Sequence, residues 1–174
     1  MNPAVNGDHG PRRFAANPRQ RFSSVSSPYC LPAVNAVPGS QTIWIIDDSA
    51  TIRAIVAHHL MRRGLHVQAF ANGHDALDRL MHLHHAQAEQ PRLILLDRQL
   101  PDLDGLDVAR SIRHVLSASR TAIVLVSGQH EALDRVVCPL AGIDGSLRKP
   151  FDCSTLLQVI SRFLPALSWK ERLT

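Results

Sequence analysis

The chain has no run approaching the roughly 18 apolar residues of a membrane-spanning helix, and its N-terminus carries no apolar core of a secretion signal. No membrane association is expected, and the cytoplasm fits. Cysteine is scarce: Cys30, Cys138 and Cys153 stand far apart with no CxxC pair, so neither a disulfide framework nor a zinc site is indicated. Surplus charge is also missing from most of the chain. The formal net charge is +4, but Arg12, Arg13, Arg19 and Arg21 against Asp8 alone place +3 of it in the first 40 residues. The remainder holds 15 basic and 14 acidic residues of the 19 and 15 in the whole chain. That balance argues against a basic nucleic-acid-binding face on the folded part, and no direct DNA binding is expected, although the arginine-bearing first segment could still touch an acidic partner weakly.

What is there fits one ordinary soluble domain: 174 residues, 45% apolar and 20% charged. Residues 1–40 hold six of the eleven prolines and an SSVSS run with almost no apolar periodicity, and read as a disordered extension. Their Arg- and Ser-rich composition superficially suits a transit peptide but equally suits a linker or an over-long start. From Thr42 onward short apolar runs alternate with longer amphipathic ones. Strands are expected at 42–46, 65–70, 92–96, 121–126 and 145–148, and helices at 49–63, 73–85, 104–116, 129–138 and 152–164. The runs IWII, LILL and AIVLV are apolar at consecutive positions, as in a parallel sheet covered on both faces. Ser49 and Asp152 are good N-cap types, and Gly64 suits a helix end. The pattern predicts a small α/β fold with a doubly wound five-stranded parallel sheet, whose ligands sit outside the carboxyl ends of the strands.

Asp47 and Asp48 follow the first expected strand, Asp97 the third, Ser127 the fourth and Lys149 the fifth. If the first and third strands are neighbours, three carboxylates converge. Their repulsion raises at least one pKa or recruits a cation, and Mg²⁺ suits a few hard oxygen ligands that share a shell with water and a phosphoryl oxygen. Lys149 adds a point positive charge and Ser127 a hydroxyl donor, so aspartyl-phosphate chemistry is the economical reading. Each residue alone has a plainer account: a helix cap for the acid pair, a solvated lysine, a turn serine. Their joint appearance at strand ends is what favours function. In LPDLDG, Asp104 reads as an N-cap, with Asp102 and Asp107 solvated. The HLHH run at 82–85 reads as a solvated helix end rather than a metal site, having no zinc-motif partner.

The motifs IIDDS at 45–49, LLDRQLPDLDG at 95–105, LVSG at 125–128 and DGSLRKPF at 144–151 together resemble the receiver domain of bacterial two-component response regulators, over about residues 41–164. The resemblance implies a five-fold βα flavodoxin-like receiver fold with Asp97 as phosphoacceptor and Mg²⁺ ligand. It implies Asp48 as a direct ligand, Asp47 as a ligand through water, and the Gln99 backbone carbonyl completing the set. Lys149 would pair with the phosphoryl group, Ser127 would move toward it, and Gly128 would leave the donor room. Arg98 and Gln129 would tune phosphoryl lifetime, and the Lys149–Pro150 peptide would be cis. The implied partners are a sensor histidine kinase or histidine phosphotransfer protein and a downstream protein target, as in phosphorelay, chemotaxis or pilus-motility pathways. Such a protein is no enzyme beyond its own phosphotransfer and dephosphorylation. The short tail, 165–174, suggests a stand-alone receiver.

Two departures from the family fall on its output side: Ser146 stands where receivers usually place Tyr or Phe, and Pro139 closes the fourth expected helix. They keep open an alternative, a receiver-fold adaptor independent of phosphorylation. A phosphatase of the haloacid dehalogenase type needs a second acid two residues after its nucleophile, where this chain has Gln99. A flavin-binding domain is disfavoured by the acids after the first strand, which repel a phosphate.

Overall fold

A computed structural model describes residues 42–116, 121–128 and 138–164. The described elements run β1 (Thr42–Ile46), α1 (Ala50–Met61), β2 (His66–Phe70), α2 (Gly73–His85), β3 (Leu93–Asp97), α3 (Gly105–Val115), β4 (Ala122–Ser127), β5 (Gly145–Arg148) and α4 (Cys153–Phe163). All strand pairs are parallel, in the order β2-β1-β3-β4-β5. The expected strand bounds hold to within one residue. Of the helix expected at 129–138, only Cys138 is described, in a helical turn at 138–140 that includes Pro139; Gln129, the extension 1–40 and the tail 165–174 lie outside the described residues.

The consecutive apolar positions of the central strands serve two cores, because neighbouring side chains on a strand point to opposite faces. Trp44, Ile46, Ile94, Leu96, Ile123 and Leu125 pack under α2 and α3. Ile43, Ile45, Leu93, Leu95, Val124 and Val126 pack under α1 and α4. Edge strands β2 and β5 are only partly buried.

Each helix begins at a side chain that accepts a backbone hydrogen: Ser49 from Ile52, Asn72 from Asp75, Asp104 from Leu106 and Asp152 from Thr155. Gly64, with φ of 78°, carries the chain out of α1 in the left-handed conformation that a Cβ disfavours. At the amino end of the sheet, Arg113 of α3 ties the approaches to β4 and β5. Its Nε donates to the Gly142 carbonyl at 2.7 Å, Nη1 to the Thr121 carbonyl at 2.7 Å, and Nη2 to the Asp144 carboxylate. Asp144 in turn accepts from Ile123 N at 2.7 Å.

Candidate functional site

The carboxyl ends of β1, β3, β4 and β5 deliver the chemistry. Because β1 and β3 are adjacent, with Ile46 opposite Leu96, the acids that follow them emerge side by side. One carboxylate oxygen from each of Asp47, Asp48 and Asp97 lies within 4.8 Å of the others. Asp47 and Asp97 are buried and Asp48 is exposed. Lys149, just past β5, reaches across: Nζ donates to Asp47 Oδ2 at 2.8 Å and to Asp97 Oδ2 at 2.7 Å. Its own amide donates to the Ser127 carbonyl at 2.7 Å, which fixes the lysine to the end of β4. The Lys149–Pro150 peptide is cis, as the resemblance implied.

The second oxygens are also held. Asp47 Oδ1 accepts from Ser49 N at 2.8 Å, so this residue supports the start of α1 while its other oxygen meets the lysine. Asp47 thus supports the helix start with one oxygen, in line with the plainer reading, while its other oxygen faces the lysine. Asp97 Oδ1 accepts from Gln99 N at 3.3 Å. Ser127 ends β4 half-buried opposite Arg148, and Gly128 follows in open space, where a Cβ would meet no protein atom within 4 Å. Arg98, the residue after Asp97, places Nε 3.4 Å from Asp104 Oδ1. Ser146 is exposed on β5 opposite Leu125.

Burial pushes the Asp97 carboxyl up, helped by the neighbouring Asp47 charge and opposed by Lys149. Apolar side chains including Ile52, Val126, Leu147 and Phe151 line the cleft below it. Burial also works against the Lys149 ammonium, but its bonds to Asp47 and Asp97 outweigh this and hold its pKa above the ordinary lysine value. With all three acids ionised the cluster carries about −2 after the lysine is counted. At an effective dielectric of about 20, two carboxylate charges some 5 Å apart repel by about 3 kcal/mol. Hard, clustered, negatively charged oxygens fit a divalent cation such as Mg²⁺, and the exposed Asp48 leaves an approach from solvent.

Sequence reasoning missed three supports of this site. Gly105, the first residue of α3, sits so close to β3 that a Cβ there would lie 2.3 Å from the Asp97 carbonyl oxygen; a poor helix former at the first helical position was the available signal. Arg53 of α1 donates from Nη1 to the Asp47 carbonyl at 2.6 Å. Asp102 is exposed, as expected, but it does more than shape a turn. Its carboxylate accepts from Gly73 N at 2.9 Å, His74 N at 2.8 Å and His74 Nδ1 at 2.6 Å, docking the start of α2 onto the β3–α3 loop. Burial alone would raise its pKa; these donors lower it instead to about 2.

A response regulator receiver domain family model matches residues 43–161. Over 121 residues the chain is 31% identical to the DNA-binding transcriptional regulator NtrC of Proteus hauseri, a match covering 69% of this chain. The chain spans 24% of the length of that relative. Among solved structures, the Vibrio cholerae chemotaxis protein CheY4 is similar with a TM-score of 0.63 and 27% identity, over 71% of this chain and 98% of that one. The receiver domain of a sensor histidine kinase from Pseudomonas aeruginosa, with a magnesium ion coordinated in its active site cleft, is similar with a TM-score of 0.61 and 26% identity, over 72% and 98%.

Proposed function

Since the chain belongs to the response regulator receiver domain family, we propose that it is a two-component signalling receiver that takes a phosphoryl group onto Asp97 from a histidine kinase or phosphotransfer protein. The observation that carries this reading is the convergence of three acids and one lysine at the carboxyl edge of the sheet, with Asp97 buried and central. An Asp97 carboxylate oxygen attacks phosphorus, the bond from phosphorus to the donor's imidazole nitrogen breaks, and the electron pair leaves with that nitrogen. Lys149, already 2.7 Å from Asp97, meets the charge on the phosphoryl oxygens, and the Ser127 hydroxyl donates to one of them. The space in front of Gly128 gives the donor its approach.

Mg²⁺ would be held by Asp47, Asp48, Asp97 and the Gln99 carbonyl, and when bound it supplies charge neutralisation for the transferring group. Arg98, pinned by Asp104, and Gln129 are proposed to tune phosphoryl lifetime. The near balance of 15 basic and 14 acidic residues after position 40 supports a protein rather than a nucleic-acid target. No helix among the described residues is long and apolar enough to cross a membrane; cytoplasmic phosphorelay, chemotaxis or pilus-motility signalling is the proposed setting.

The test is direct. The protein incubated with Mg²⁺ and acetyl phosphate should gain one phosphoryl group by intact mass, and Asp97→Asn should abolish the adduct completely. No adduct from acetyl phosphate or from a phosphorylated histidine phosphotransfer protein would favour the second reading, an adaptor that does not use phosphorylation. Ser146 supports that alternative: a small exposed side chain on β5 cannot couple the site to the output side by burying a ring.

A further inference from the structure

We propose that Arg53 is a positioning residue for the divalent cation, holding the peptide bond between Asp47 and Asp48 so that the Asp48 carboxylate faces the other two acids. The inference rests on the metal reading of the acid cluster given above.

The three acids are not held alike. Asp47 is fixed by Ser49 N and Lys149, and Asp97 by Lys149 and Gln99 N. The Asp48 carboxylate is exposed, and among the described residues no hydrogen bond or ion pair reaches it. With no partner holding the side chain, the backbone decides where the Asp48 carboxylate can reach. The Asp47 carbonyl belongs to the peptide that enters Asp48, and that carbonyl accepts from Arg53 Nη1 at 2.6 Å. The half-buried guanidinium is a rigid fork on the first turn of a helix already anchored at Ser49, so it fixes the plane of this peptide.

Helix stability does not explain an arginine here. A cation in the first turn opposes the helix dipole, and α1 has no acid in that turn to offset it. A role through charge alone predicts the opposite sign from positioning: removing a cation near a dication site strengthens Mg²⁺ binding, whereas releasing the Asp47–Asp48 peptide weakens it.

Isothermal titration of the full chain with Mg²⁺ alone separates the two, using wild type, Asp48→Asn, Arg53→Gln and Arg53→Lys, with far-UV circular dichroism as the control for folding. Arg53→Gln should bind Mg²⁺ about tenfold more weakly, the scale of losses when a residue supporting a ligand is removed. Arg53→Lys, which keeps the charge and one donor but loses the fork, should fall between it and wild type. Unchanged or tighter binding by folded Arg53→Gln overturns the proposal. If Arg53→Gln does not fold, Arg53→Lys decides, and wild-type affinity there overturns it. Wild-type affinity in Asp48→Asn also overturns it, since Asp48 would then need no aiming. A wild-type protein that binds no Mg²⁺ overturns the metal reading and this inference together; wild-type affinity in Asp48→Asn also removes Asp48 from the metal reading, and a failure confined to the Arg53 variants touches this inference alone.

Discussion

Two clusters at opposite ends of one sheet bring a single cation to oxygen atoms, and they end in different states of charge. At the amino end, Arg113 meets one carboxylate and two carbonyls, and the set is neutral with its guanidinium paired on every arm. At the carboxyl end, Lys149 meets two carboxylates while a third stands free of it, and the set stays negative. Arg113 belongs to packing: it closes the approaches to β4 and β5. The Lys149 cluster keeps a net negative charge by itself, which suits the cation and phosphoryl group proposed for it.

The comparison breaks if the two clusters respond alike to losing a charged group. Arg113→Ala should destabilise by about 2–3 kcal/mol in urea titration, because it strands a carboxylate and two carbonyls. Asp97→Asn should do the reverse in Mg²⁺-free buffer, stabilising by about 1 kcal/mol through relief of repulsion. That gain should shrink as Mg²⁺ rises, since only the wild type keeps all three acids for the cation. A destabilised Asp97→Asn would mean that its cluster is structural too.

A smaller effect sharpens the boundary between the clusters. Asp102→Ala should cost about 1 kcal/mol near neutral pH, as for loss of a helix cap. The Asp102 carboxyl is held at about 2 in the folded protein against 3.8 ordinarily, so the unfolded chain binds the proton more readily. Its contribution is complete above 3.8 and drains away as pH falls through about 2. Acid unfolding curves of wild type and Asp102→Ala should therefore converge with falling pH; a constant gap would show that the carboxylate is not the source.

The sequence carried the strands, the caps at Ser49, Asp104 and Asp152, and all four charged groups of the site, because periodicity and strand-end placement are local signals. It did not carry the residues that support the site from around it or tie the other end of the sheet. Asp102 reaches α2 across 28 and 29 positions, and Arg113 reaches Gly142 across 29, distances at which no spacing rule operates. Arg53 lies only six residues from Asp47, yet its role depends on which carbonyl its guanidinium meets, a matter of rotamer rather than pattern. Gly105 was visible as a letter, but its reason, the 2.3 Å approach of the Asp97 carbonyl, exists only once α3 packs against β3.

The Lys149 bridges also bear on the order in which the domain can be completed. They join residues 102 and 52 positions apart, to Asp47 and Asp97 respectively, so their ammonium arrives only with the final strand. Contacts of such separation carry a loop-closure cost that must be met before they return any stabilisation. A partly assembled sheet ending at β4 would hold its acids without their counter-charge, and the mouth of the site is thus assembled only in the finished topology.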